Sequence, residues 1–278
     1  MGKSRVGDAV LMTIKNIFKD NMLLYSVYAL LVNVNKSVSH SKNIIAKEKN
    51  IADFVTNIDF RVEQMLVSGL REIADIPCLT EESNQYIDGS SYWVIDPVDG
   101  TTNLIHEYPS FCVSVAKVEN GVTEYGFVYN LFSKELFIGI RSQGAYLINT
   151  RSARAKAIQV SDVYCLSDSL IGFGCPYDKT KTDKIFEVTN KILKNCHDVK
   201  RNGPASLDIC YVASGRIDAY YELDLKEWDY KAGKLILEAA GGRITDWNGE
   251  NIQQNTNNVA ASNNKIHEQL LKYLGNID

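Results

Sequence analysis

The sequence has no marked excess of either charge, no C-x-x-C pair, no internal repeat, no low-complexity tract and no obvious linker. Each absence removes a class of function. A formal net charge of −4 over 278 residues gives no general attraction to nucleic acid or to an anionic membrane. The cysteines Cys78, Cys112, Cys165, Cys175, Cys196 and Cys210 stand apart, without companion histidine spacing. That argues against zinc and a disulfide framework, and for buried thiols in a reducing, cytoplasmic setting. The apolar run from Met22 to Val34 falls short of the roughly 20 residues that a membrane helix needs. Its length would suit a signal peptide. However, Asp8 and Asp20 interrupt the basic residues Lys3, Arg5, Lys15 and Lys19, and no A-x-A-like site follows. Val10, Leu11, Ile14, Ile17 and Phe18 recur at helical spacing, which favours a soluble helical start over a membrane-associated segment.

What the chain does contain is ordinary globular composition, 45% hydrophobic and 23% charged. That suits one large domain or two closely packed ones. Its most informative stretch is residues 93–103, W-V-I-D-P-V-D-G-T-T-N. Val, Ile and Trp favour a strand; Asp-Pro and Asp-Gly break one. Asp96 and Asp99 are therefore expected where a strand leaves the core, on a turn stiffened by Pro97. Gly100 lets backbone approach a ligand, and Thr101 opens a helix whose free N–H groups suit an anion. Acids beside an anion site call for a cation between them, so the stretch reads as a divalent-metal site holding a phosphate. The alternative for Asp99-Gly100 is a plain hairpin turn, but no alternating strand follows at once.

Elsewhere the pattern is mixed. Val62, Met65, Leu66, Leu70 and Ile73 form a helical stripe, preceded by Thr56 and Asp59 at capping-box spacing. On that spacing alone Asp59 is a first-turn helix acid. Residues 111–148 read as antiparallel β, with a hairpin at Asn120-Gly121, and residues 165–174 as a further strand. Helices are expected over 182–193, 205–213, 229–240 and 266–274, with extended segments at 217–221 and 243–245. This is an α/β (α+β) chain. Its division comprises an N-terminal helical segment 1–50, a metal-binding α+β half 51–150 and an α/β half 151–278.

Carboxylates recur beside turn residues at Asp53 and Asp59, Glu81 and Glu82, Asp96 and Asp99, and Glu227 and Asp229. Hard oxygen ligands suit Mg²⁺ or Mn²⁺. An EF-hand is excluded, because D-P-V-D-G lacks the alternating acids and the final Glu of that loop.

Taken in order, these motifs resemble the inositol monophosphatase family. D-P-V-D-G-T-T-N from Asp96 looks like its D-P-x-D-G-T-x-N signature, and W-D-Y-K-A-G from Trp228 its second, W-D-x-x-A-G. Glu81-Glu82 matches the paired glutamates, and the segment from Asp53 to Asp59 the D-x-V-T-x-x-D motif. Gly203 to Asp208, Ala219 to Glu222 and Ala261 to Asn263 match as well, so the likeness runs from about Asp53 onward. It implies a layered αβαβα sandwich of the inositol monophosphatase and fructose-1,6-bisphosphatase type, and Mg²⁺-dependent hydrolysis of a phosphate monoester.

By the resemblance, Glu81, Asp96 and the Val98 carbonyl would hold one metal, and Asp96, Asp99 and Asp229 a second. A third, weaker one would lean on Glu81, and Mn²⁺ is a possible substitute. Thr101 with Asp59 would orient or activate the attacking water. Gly100 and Thr101 N–H groups would bind phosphate, and Asp99, Ala205, Glu222 and Asp229 would contact substrate hydroxyls. Lithium sensitivity and a homodimer are also implied. Myo-inositol monophosphate is the leading substrate. Fructose 1,6-bisphosphate, adenosine 3′,5′-bisphosphate and a non-catalytic regulatory binding role remain alternatives. Two residues depart from the pattern: Thr80 replaces a Gly before the paired acids, and Pro204 a Ser or Thr. Lys47 or Lys49 stands in for a family lysine.

Overall fold

The computed structural model describes residues 21–39, 44–50, 53–83, 87, 89–152, 154–253 and 256–275. The helical spacing expected over residues 10–18 lies outside them. Among the described residues no helix is long and apolar enough to cross a membrane. The apolar run at Met22 instead forms α1 (Met22–Ser39), whose Leu24, Val27, Leu31 and Val34 are buried. The segment expected to be helical to residue 50 contains a strand, β1 (Ala46–Asn50), hairpinned with β2 (Asp53–Thr56). Helix α2 (Asn57–Ile73) follows, with Ile58, Val62, Leu66 and Leu70 buried.

Strands β3 (Cys78–Thr80) and β4 (Tyr92–Asp99) pair in parallel. After the short α3 (Thr101–Ile105), an antiparallel meander runs through β5 (Cys112–Glu119), β6 (Val122–Asn130), β7 (Glu135–Ile140), β8 (Gly144–Asn149) and β9 (Arg154–Ile158). Asn120 (φ 52°) and Gly121 (φ 78°) make the β5–β6 turn with two positive φ angles, the conformation for which Asn-Gly is suited.

The second half builds β10 (Leu170–Phe173), α4 (Thr182–Leu193), β11 (Asp198–Lys200), α5 (Ala205–Ala213), β12 (Ala219–Glu222) and α6 (Glu227–Ala239). It closes with β13 (Arg243–Thr245), β14 (Val259–Ser262) and α7 (His267–Leu274). Its strands form a five-stranded sheet ordered β11-β10-β12-β14-β13. The strand expected over 165–174 is shorter, because Leu166–Asp168 winds into a 3₁₀ turn.

Three apolar clusters show the layering. Helices α1 and α2 cover one face of the seven-stranded sheet, where Trp93, Ile95, Val113 and Phe127 point. Val94, Ala116, Val128 and Phe137 face the opposite way, into a core shared with α5, α6 and the five-stranded sheet. Helices α4 and α7 cover the far side of that sheet. The order is αβαβα, as expected. Alternate residues of β4 therefore enter different cores, so the strand is apolar on both faces.

Helix α6 lies unusually close on the large sheet. A Cβ on Gly126 would meet the Ala232 carbonyl oxygen at 2.7 Å, and one on Gly139 would meet the Ile236 Cα at 2.8 Å. These contacts are with helix backbone, which cannot rotate away. Gly139→Ala should cost about 1–3 kcal/mol through overpacking, read as a lower urea midpoint at unchanged m-value.

Candidate active site

The site begins where β4 ends. Asp96 pairs with Ser114 and Asp99 with Cys112, with a register irregularity between. Pro97 offers no N–H to the ladder. Three steps on one strand against two on the other is a bulge, and it re-aims side chains. In a regular strand, residues three apart face opposite ways; here each acid's charge acts on the other. Gly100 then takes φ 95° and starts α3. A Cβ there would strike Pro204 Cγ at 2.9 Å and the Ser110 carbonyl at 3.1 Å. Pro204, the departure from the family pattern, thus packs over the glycine of the turn and precedes α5.

Asp59 serves two purposes through its two oxygens. Oδ2 accepts from the Thr56 N–H at 2.9 Å and from the Thr56 hydroxyl, closing the capping box of α2. Oδ1 faces Thr101 Oγ1 at 2.9 Å. The Thr101 hydroxyl also lies 3.0 Å from the Val98 carbonyl, so its single proton has two acceptors. The helix-cap reading and the site reading of Asp59 are therefore both right. Burial raises the Asp59 pKa, partly offset by its bonds to Thr56 and Thr101.

Glu81 follows β3, its N–H bonded to the Ile95 carbonyl at 3.3 Å. Thr80, the other departure, donates to Glu63 at 2.7 Å and accepts the Ser83 N–H at 3.1 Å, which fixes this turn. Of the two candidate lysines it is Lys49 that arrives, its Nζ 3.2 Å from Glu81 and 2.7 Å from Glu82. Burial raises Glu81 to about 7 against the pull of Lys49.

Asp99 Oδ2 accepts the Ser206 N–H at 2.8 Å; burial, offset by that bond, puts it at about 6. Asp96 Oδ1 accepts the Val98 N–H at 3.0 Å. Burial, then the charges of Glu81, Asp99 and Asp229, push Asp96 well up. Asp229, in the first turn of α6, accepts the Lys226 N–H at 2.6 Å, and burial with Asp99 raises it too. Glu222 ends β12, buried, accepting from the Tyr220 hydroxyl. Gly174 leaves the room its carboxylate occupies, since a Cβ there would fall 2.0 Å from it.

Asp99, Gly100, Ala205, Glu222 and Asp229 line one cavity. Asp59, Glu81 and Asp96 adjoin it, through the Thr101 bond and through mutual charge. Among the described residues Asp96, Asp99 and Asp229 form no ion pair. No group of three or more His, Cys, Asp or Glu there stands as a finished metal cage. In donor chemistry the set fits a hard divalent cation: all oxygen, buried, and mutually repelling without one.

Tyr177, Lys179 and Arg201 line the same cavity and carry no signal in the sequence. They sit in loops or, for Lys179, at the start of a three-residue 3₁₀ turn, too short to show periodicity. The Tyr177 phenol is raised by burial of its hydroxyl and by the charges of Glu81, Asp229, Asp99 and Asp96.

Raised carboxyl pKa values give stability that is fully present below the unfolded values near 4. It is lost as pH climbs through the folded ones, about 6 for Asp99 and about 7 for Glu81 and Asp208. In chelator, Tm should fall from pH 5 to pH 7.5. Asp208→Asn should flatten that fall in differential scanning fluorimetry.

The family described as "Inositol monophosphatase family" matches residues 23–278. Nus factor SuhB of Vibrio cholerae is 33% identical over 246 residues, covering 87% of this chain and 90% of that one. The extragenic suppressor protein suhB of Bartonella henselae superposes with a TM-score of 0.85 at 29% identity, covering 92% of this chain and 99% of the other. Inositol monophosphatase from Anabaena (Nostoc) gives 0.77 at 30% identity, over 90% and 94%. With its αβαβα layers, its paired acids at the end of β4 and this near full-length match, the chain belongs to the inositol monophosphatase family.

Proposed function

We propose that the protein is a phosphoric monoester hydrolase that cleaves myo-inositol monophosphate with Mg²⁺. The observation that carries this reading is the Thr101 hydroxyl held 2.9 Å from the buried Asp59 carboxylate, beside an acid-lined cavity. Glu81, Asp96 and the Val98 carbonyl would hold one ion, and Asp96, Asp99 and Asp229 a second. A third would lean on Glu81, and Mn²⁺ would substitute. When bound, such ions neutralise phosphoryl charge and lower the pKa of water.

The chain's own residues supply the rest. With its proton directed to Asp59 Oδ1, Thr101 presents oxygen lone pairs to a water O–H and so orients the water. Threonine is a weak base alone, and Asp59, its pKa raised by burial, is suited to receive the proton. The Gly100 and Thr101 N–H groups would bind the phosphate. Asp99, Ala205, Glu222 and Asp229 would meet the hydroxyls of the leaving polyol. Residues 51–150 would supply the water-activating pair and most metal ligands, and residues 151–278 the substrate wall.

All six cysteines are free, and only Cys112 and Cys210 are buried rather than most of them as expected; the free thiols support a cytoplasmic setting. Lithium sensitivity and a homodimer follow from the family reading. A second reading, a non-catalytic binding role, is favoured by the "Nus factor" name of the V. cholerae relative. Retention of Glu81, Asp96, Asp99 and Asp229 speaks for catalysis.

Phosphate release from inositol 1-phosphate at millimolar Mg²⁺ decides between them. Asp96→Asn should lower turnover by orders of magnitude with the far-UV spectrum unchanged. Thr101→Val should lower kcat by about 10²–10⁴. Near-wild-type turnover in Asp96→Asn would refute the ligand assignment, and no turnover of any small phosphomonoester would leave the binding role.

A further inference from the structure

The cavity is electrically divided. Its floor includes the acids Asp99, Glu222 and Asp229, of which Asp99 and Glu222 are buried, while the exposed side chains of Lys179 and Arg201 line its mouth. Two basic groups near the site are already committed. Lys181 is bound to both oxygens of Asp224 at 2.7 and 2.6 Å, and Lys49 to Glu81 and Glu82. Lys179 and Arg201 are different. Both line the cavity and are exposed, and neither forms an ion pair among the described residues. Arg201 exerts its charge on buried Asp208 without contacting it as an ion pair. The carboxylate best placed to neutralise the mouth, Asp224, is taken by Lys181.

Both positions are held by backbone that is fixed. Lys179 opens a 3₁₀ turn capped by Asp178, which accepts the Thr180 N–H at 3.0 Å. Arg201 precedes Asn202, whose side chain donates to Asp208 at 2.6 Å. The Asn202 carbonyl in turn receives Asn103 from the β4 turn at 2.8 Å. Through its neighbour Asn202, Arg201 is thus tied by one hydrogen bond to the segment that carries Gly100 and by the other to α5.

We propose that Lys179 and Arg201 form a second anion subsite at the mouth of the acidic cleft, so that preferred substrates carry a phosphate or carboxylate on the leaving group. The inference rests on the phosphomonoesterase reading above and makes inositol monophosphate an accepted rather than the preferred substrate. With the scissile phosphate on the floor, the leaving group extends toward the mouth. A neutral polyol leaves two cations there unused. An anionic one gains charge-assisted bonds, bidentate at the guanidinium.

The test uses two matched pairs: 2-phosphoglycerate against glycerol 2-phosphate, and fructose 1,6-bisphosphate against fructose 1-phosphate. The full-length protein should prefer the more anionic member of at least one pair at least tenfold in kcat/KM. Which pair responds identifies carboxylate or phosphate. Lys179→Met and Arg201→Met should each reduce that preference at least tenfold, with partial recovery in Arg201→Lys and a loss of preference at high salt. No preference in either pair, or a preference untouched by both substitutions, overturns the subsite. If none of the four compounds is turned over and inositol 1-phosphate is not either, the phosphomonoesterase reading fails separately. The same ratios, taken from calorimetric dissociation constants, then decide the subsite by the same criteria.

Discussion

Carboxylates buried side by side repel, and an unpaired charge in a protein interior is among the most costly features a fold can carry. This fold gathers Asp96, Asp99 and Asp229 under that penalty, with Glu81 and Asp59 close by. The surrounding architecture can be understood as what holds them together. The bulge at Pro97 turns two acids of one strand toward one cleft, and α6 is pressed on the large sheet over two glycines. Backbone N–H groups of Val98, Ser206 and Lys226 each satisfy one oxygen. They cancel too little of the charge to bring these groups back to ordinary pKa values. What remains is a site chemically prepared for a cation.

The layering explains how such a site can be rigid. β4 contributes to two cores at once, with Trp93 and Ile95 in one and Val94 in the other, so its end cannot shift without disturbing both. The same end is latched to the second half of the chain by Asn103, which donates to Ser110 at 2.6 Å and to Asn202 at 2.8 Å. Asp59 joins helix capping to the Thr101 contact through separate oxygens. One residue therefore couples the stability of α2 to the geometry of the reactive centre.

Much of this was legible in the sequence because the informative residues are local. D-P-V-D-G-T signals the end of a strand and the start of a helix within a few positions, and T-N-I-D signals its own cap, whereas the expected turn at Pro97 is a bulge inside a strand that runs on to Asp99. Element types in the second half followed from helical periodicity. The choice between Lys47 and Lys49 was not legible, because a register shift between Glu48 and Asn50 in the β1–β2 hairpin sets which lysine reaches Glu81. Tyr177, Lys179 and Arg201 were invisible for a related reason: tertiary packing, not local pattern, brings their segments to the cleft. Thr80 and Pro204 depart from the family pattern by type, yet each has a definite packing or hydrogen-bonding role.

The central claim is that burial, and then their neighbours' charge, keeps these acids partly protonated, and that a divalent ion relieves them. Calorimetric Mg²⁺ titration in two buffers of different ionisation enthalpy tests it most directly, since binding to raised carboxyls must expel protons. The account predicts net proton release near pH 6 that decreases as pH rises through about 7, the value to which burial raises Glu81, and both binding and release lost in Asp96→Asn. Mg²⁺ binding with no proton release near pH 6, or no binding at millimolar Mg²⁺, would contradict it.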